Sequence, residues 1–161
     1  MAERSPAPVA LSARFLPSWD HIEPLRQYAE VAIKVRADQA SADKVSIVVS
    51  ELLENAIKYG IPSSDIEFEL SIARDGSSVE VRVRNRAVPT RLAVLQREFQ
   101  RVAGDSASAS FSRALQRLQK LPPGASMLGL SRVAMEATLQ LEVVEDRVNI
   151  TARFEAVAAA K

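Results

Sequence analysis

Cysteine is absent from the 161 residues. That rules out disulfides and thiolate metal sites and makes a reducing compartment, the cytoplasm, the expected location. Neither sign of charge is in excess: 21 Lys and Arg stand against 20 Asp and Glu, a formal charge of +1. The chain therefore lacks the cationic surplus that neutralises the phosphates of a nucleic acid, and no nucleic-acid partner is expected. Long apolar runs are missing too, none approaching the roughly 18 residues of a membrane span. Met1 to Pro8 carry Glu3 and two prolines where a secretory signal would be apolar, so no membrane partner is expected either. Glycine is scarce, at 5 residues, and neither G-x-G-x-x-G nor a P-loop run occurs, which removes the two commonest phosphate-binding loops. The single histidine, His21, has no His, Cys or paired acid beside it in sequence and reads as a first-turn helix residue rather than a metal ligand or phosphoacceptor.

What is present is enough apolar material, 47% of the residues, for one well-packed domain. Its expected extent is residues 9–155, between a flexible N-terminal tail at 1–8 and a C-terminal tail at 156–161. Val9 to Phe15 alternate as a half-buried strand ended by Pro17. From His21 to Arg36 apolar residues recur at helical spacing, with Asp20 as the expected N-cap and Trp19 packing at the helix edge. A second helix runs from about Ala42, with Ser41 as its cap, to Gly60. Ile66 to Arg74 and Val79 to Asn85 alternate strictly on either side of Asp75-Gly76, the signature of an antiparallel hairpin. The parity that buries Val79, Val81 and Val83 also turns Asn85 toward the core side. A helix from Thr90 to Ala103, a small polar break at 104–110 read as a hinge, and a helical face on Phe111, Ala114, Leu115 and Leu118 form an excursion that ends at Pro122-Pro123-Gly124. A short helix from Leu130 to Ala137 and two strands, Leu139 to Val143 and Val148 to Phe154, close the domain. Sequential strands joined as hairpins predict a two-layer α/β sandwich, with a mixed, mostly antiparallel sheet and helices on one face.

Chemistry concentrates on the second helix. Glu51, Glu54, Asn55 and Lys58 fall at i, i+3, i+4 and i+7, one polar stripe on a helix whose apolar residues face the core. Glu51 and Asn55, one turn apart, offer the hard oxygen ligands that Mg²⁺ prefers, and Lys58 can meet a phosphate. The plain alternative is the wetted face of an amphipathic helix, and spacing alone does not choose between the two.

The ten residues Glu51-Leu52-Leu53-Glu54-Asn55-Ala56-Ile57-Lys58-Tyr59-Gly60 resemble the N-box of the histidine-kinase-like ATPase (GHKL) superfamily, in the version carried by anti-sigma-factor and partner-switching serine kinases. Met127-Leu128-Gly129-Leu130-Ser131-Arg132-Val133 is similar to that family's G-L-G-L-x-x-V segment, with Met127 in place of one glycine. The resemblance spans about residues 9–155 and implies a Bergerat-type ATP-binding fold, ATP and Mg²⁺ as cofactors, and Glu51 as general base. It implies Asn55 as the Mg²⁺ ligand on the nucleotide phosphates, with Lys58, Gly129 and Leu130 at the phosphates. The family's D-x-G-x-G box is replaced by Asn85-Arg86-Ala87-Val88-Pro89. Asn85 keeps a carbonyl acceptor for adenine, but both glycines are gone and Pro89 removes a donor. The function implied is an ATP-dependent serine/threonine kinase acting on a small antagonist or sigma-factor-like regulatory partner. The altered box points instead to a nucleotide-independent binding module of the same fold. A homodimer is compatible with a small regulator of this kind, although the sequence offers no self-complementary surface.

Overall fold

The Asp75-Gly76 dipeptide makes the turn its chemistry dictates. Gly76 adopts φ 74°, the left-handed region open to glycine, and Asp75 Oδ1 accepts a hydrogen bond from the Ser77 amide at 2.9 Å. Around this hairpin the computed structural model describes residues 8–104 and 129–160. Strands β1 (Val9–Phe15), β2 (Ile66–Ile72), β3 (Ser78–Arg86), β4 (Thr138–Val144) and β5 (Arg147–Glu155) form one sheet in the order β1-β2-β3-β5-β4. Helices α1 (Ile22–Lys34), α2 (Gln39–Tyr59), α3 (Pro89–Gly104) and α4 (Gly129–Glu136) complete the two-layer α/β fold. Every strand pairing among the described residues is antiparallel, the limit of the mostly antiparallel sheet that the sequence led one to expect.

Alternation decides the faces. Ile66, Phe68, Leu70 and Ile72 of β2, Val79, Val81 and Val83 of β3, and Val148, Ile150, Ala152 and Phe154 of β5 are buried under the helices. The opposite face carries Arg14, Glu67, Glu69, Glu80, Arg82, Arg84 and Arg153, joined in cross-strand ion pairs and, between Glu80 and Arg82, one within β3. These half-exposed pairs keep the face wet and the register in place more than they add stability. Helix α2 is the central helix, packed against α1, α4 and β3, and it gives Val45, Val48, Val49, Leu52, Leu53 and Ala56 to the core. No helix among the described residues is long and apolar enough to cross a membrane.

Both expected caps are displaced by a few residues. Ser18, not Asp20, opens the first helical segment, accepting from the Asp20 amide at the head of a 3-10 turn over Trp19–His21 that leads into α1. Asp38, not Ser41, caps α2 and accepts the Ser41 amide at 2.9 Å. Ser41 is buried in the first turn, where its hydroxyl accepts from the Val157 amide at 3.1 Å. The residues assigned to a C-terminal tail are thus hydrogen-bonded up to Ala159: the Asp38 amide donates to Val157, and the Ala159 amide to Arg36. His21 packs its ring on Phe15, centroids 4.8 Å apart, and Trp19 is 57% exposed. Pro89 opens α3, one residue before the expected start, where a missing N–H leaves no bond unmade. The expected hinge after Gly104, the helix on Phe111 to Leu118, and Met127 and Leu128 lie outside the described residues.

Candidate functional site

The polar stripe of α2 does not face open water. Glu51 is 9% exposed, because the first residue of α4 lies directly over it. A Cβ built on Gly129 would stand 2.7 Å from Glu51 Oε2 and 3.5 Å from both amide atoms of Asn55. Only a residue without a side chain allows this approach, and it brings the start of α4 onto the N-box. Glu51 and Asn55, one helical turn apart, and Gly129 thus form one cluster, with α2 supplying the side chains and α4 the backbone.

The cluster is electrostatically loaded. Glu51 Oε1 accepts from Arg132 Nη1 at 2.7 Å, an ion pair between α2 and α4. Burial pushes the Glu51 carboxyl above the ordinary carboxylate value and Glu54 adds to the push, while Arg132 and Lys58 draw it back down. Asn55 Nδ2 is buried and has no hydrogen-bond partner among the described residues. A carboxamide in this state has donor capacity that no described group uses. The backbone carbonyl of Lys58 accepts from Arg91 Nη1 at 2.7 Å, which ties the start of α3 to the last turn of α2.

Asn85 sits at the other end of the stripe. As its parity requires, it turns toward the helical layer, where Nδ2 donates to the Ala56 carbonyl at 3.3 Å and to the Arg86 carbonyl at 3.4 Å, leaving Oδ1 as the acceptor. Gly60 makes room for it, since a Cβ there would lie 3.1 Å from Asn85 Nδ2 and 2.3 Å from the Ala56 carbonyl oxygen. The Gly60–Ala87 bridge and the Ile61 amide bonded to the Arg86 carbonyl fasten the end of β3 to the end of α2. Of the remaining residues singled out in the sequence, Lys58 is half-buried on the stripe and Leu130 is a core side chain, 5% exposed, so Leu130 has only its backbone to offer a ligand. Sequence reasoning passed over Arg132 and Arg91. Arg132 stands three residues after Gly129, the spacing that places it on the same side of α4, and that was the signal available.

A cluster that combines a hard carboxamide, a backbone brought close by glycine and the cation of Lys58 fits phosphate oxygens with Mg²⁺. The donor set does not fit a metal held by protein alone, since no group of three or more His, Cys, Asp or Glu occurs among the described residues.

No curated protein matches the sequence. A chain of the crystal structure of the SiaB-SiaC complex from Pseudomonas aeruginosa is similar in fold, with a TM-score of 0.68 at 21% identity, over 91% of this chain and 90% of that one. The family model described as the histidine kinase-like ATPase domain matches residues 15–115, more than half of the chain and including the whole of α2. The glycine segment lies beyond that match, and the fold itself returns it to the α2 stripe. On these grounds the chain belongs to the histidine kinase-like ATPase domain family.

Proposed function

We propose that this protein binds ATP with Mg²⁺ and acts in partner-switching signalling as a serine/threonine kinase on a small antagonist protein. The observation that carries the reading is the convergence of Glu51, Asn55 and Gly129, with Asn55 Nδ2 buried and unpartnered among the described residues. Mg-ATP would supply the phosphoryl group and neutralise charge on its oxygens. The Asn55 carbonyl oxygen would ligate the metal, and its buried Nδ2 would donate to a phosphate oxygen. Lys58 and the Gly129 amide would hold phosphate oxygens, and Asn85 Oδ1 would accept from the adenine amino group. Glu51 Oε2 is the oxygen that Arg132 leaves uncommitted, and it would take the proton of the attacking hydroxyl. The SiaB-SiaC structure is that of a complex between two proteins, which supports a protein partner for this chain as well.

One observation favours a second reading, a nucleotide-independent binding module. β3 passes into α3 through Ala87 and Val88 without a glycine, so the adenine end has little backbone freedom. The test is thermal unfolding of the parent and Asn55→Ala with and without millimolar Mg-ATP. A ligand at 100 times its Kd adds about 2.7 kcal/mol, or roughly 5–10 °C at this length. A shift of that size in the parent, lost in Asn55→Ala, supports the nucleotide site. Phosphoprotein formed from the antagonist under the same conditions then supports the kinase. No shift in either protein refutes both and leaves the binding module.

A further inference from the structure

The Glu51–Arg132 pair joins two helices whose residues lie 81 apart in sequence, and it sits at the centre of the cluster. Its geometry is asymmetric. Arg132 Nη1 holds Oε1 at 2.7 Å, while Oε2 lies against Gly129, close enough that a Cβ there would approach to 2.7 Å. The carboxylate is therefore gripped at one oxygen and aimed by the other at the start of α4. Arg132 itself is only partly committed, its side chain being 47% exposed against 12% for that of Glu51.

A buried carboxylate without a counter-ion protonates or swings toward water. The other charges around Glu51 do not replace Arg132: Glu54 opposes the ionised form, and Lys58 acts on Glu51 less strongly than Arg132 does. Gly129 and Arg132 are three residues apart on α4, so one short helix delivers both the backbone that receives Oε2 and the guanidinium that orients it.

We propose that Arg132 is a positioning residue for Glu51: it fixes the rotamer of the carboxylate and leaves Oε2 as the proton-accepting oxygen. This rests on the reading of Glu51 as base given above. Arg132 acts through Glu51 and makes no demand on nucleotide affinity, which separates it from a phosphate-binding arginine and from a salt bridge that serves stability alone.

The test uses the full chain with Mg-ATP as the sole probe. Nucleotide Kd and single-turnover hydrolysis are measured for the parent, Arg132→Met, Arg132→Lys, Glu51→Gln and the Arg132→Met/Glu51→Gln double variant. Arg132→Met is expected to keep Kd within about twofold while hydrolysis falls about ten- to a hundredfold, the cost of a misaimed reacting group. Arg132→Lys is expected to recover most of the rate, and the double variant to be no slower than Glu51→Gln. An unchanged rate in Arg132→Met, a Kd that rises as the rate falls, or losses that multiply in the double variant would each overturn the proposal. The ¹³C resonance of the Glu51 carboxyl, recorded without nucleotide, decides the matter independently of turnover. It should be single in the parent, altered in Arg132→Met and restored in Arg132→Lys, and an unaltered resonance in Arg132→Met overturns the positioning role. A parent that neither binds nor hydrolyses Mg-ATP refutes the proposed function, and the resonance test then stands alone for Arg132.

Discussion

Replacing Gly129 with alanine is the sharpest probe of the cluster, because the added atom is one methyl group and its surroundings are known. The new Cβ would stand 2.7 Å from Glu51 Oε2. Ordinary carbon–oxygen contacts begin near about 3.3 Å, so the pair must separate by about 0.6 Å. The carboxylate ends a flexible side chain and can give way, but moving it disturbs the contact of its other oxygen with Arg132 at 2.7 Å. Overpacking of this kind costs about 1–3 kcal/mol, offset by up to about 1 kcal/mol from giving a helix an alanine in place of glycine. The net loss of up to about 2 kcal/mol corresponds to a fall in Tm of up to about 4–8 °C. The protein therefore stays folded at 25 °C while the geometry at Glu51 and Asn55 is disturbed. Differential scanning fluorimetry with and without Mg-ATP should show the modest drop and, beyond it, loss of about half or more of the nucleotide-induced shift, equivalent to at least tenfold weaker binding. If Gly129→Ala unfolds like the parent and keeps the full Mg-ATP shift, the close approach of α4 to the α2 stripe has no functional content and the site as drawn is wrong.

Other perturbations separate packing from chemistry. Burial raises the Glu51 carboxyl above its unfolded value, so ionising it costs native stability as pH rises through the ordinary glutamate value of 4.5 and on through the raised one. Glu51→Gln escapes that cost: urea titrations should find it more stable than the parent at neutral pH, with the advantage shrinking as pH falls toward 4.5 and gone below it. An advantage that grows as pH falls would reverse the argument. Gly60→Ala puts a Cβ 2.3 Å from a fixed backbone oxygen, that of Ala56, and displaces the Asn85 amide bonded there, so urea unfolding should show a loss of about 2–4 kcal/mol. Phe68→Ala empties a fully buried position and should cost about 3–5 kcal/mol, whereas Val144→Ala, at a residue 69% exposed, should change stability by less than about 0.5 kcal/mol. Equal effects from these last two would mean that the buried face of the sheet has been misassigned.

Local rules decided much of this protein before any tertiary contact was known. Strict alternation on both sides of Asp75-Gly76 determined the β2–β3 hairpin, and the same parity turned Asn85 toward the helices, where it bonds Ala56. Helical spacing placed Glu51, Asn55 and Lys58 on one stripe of α2. The caps were less legible. Ser18, Asp20, Asp38 and Ser41 all carry capping side chains, and choosing between neighbours depends on where the backbone turns, which for Ser41 also meant meeting Val157 across the fold. Sheet order was open as well, because β3 and β5 are separated by more than sixty residues, and nothing local says that Val83 faces Ile150.

The site shows the same division. Sequence alone determined which residues carry hard oxygens, amide donors and positive charge, because those are properties of side chains and of the helical repeat. Only the tertiary structure decided that the stripe is covered at Glu51 rather than wet along its whole length. It did so by bringing Gly129 over Glu51 Oε2 and Arg132 onto Oε1, across 81 residues of chain. The reason is physical: periodicity fixes the direction of a side chain relative to its own helix, whereas its pairing, and the state of its proton, depend on which other element is packed above it.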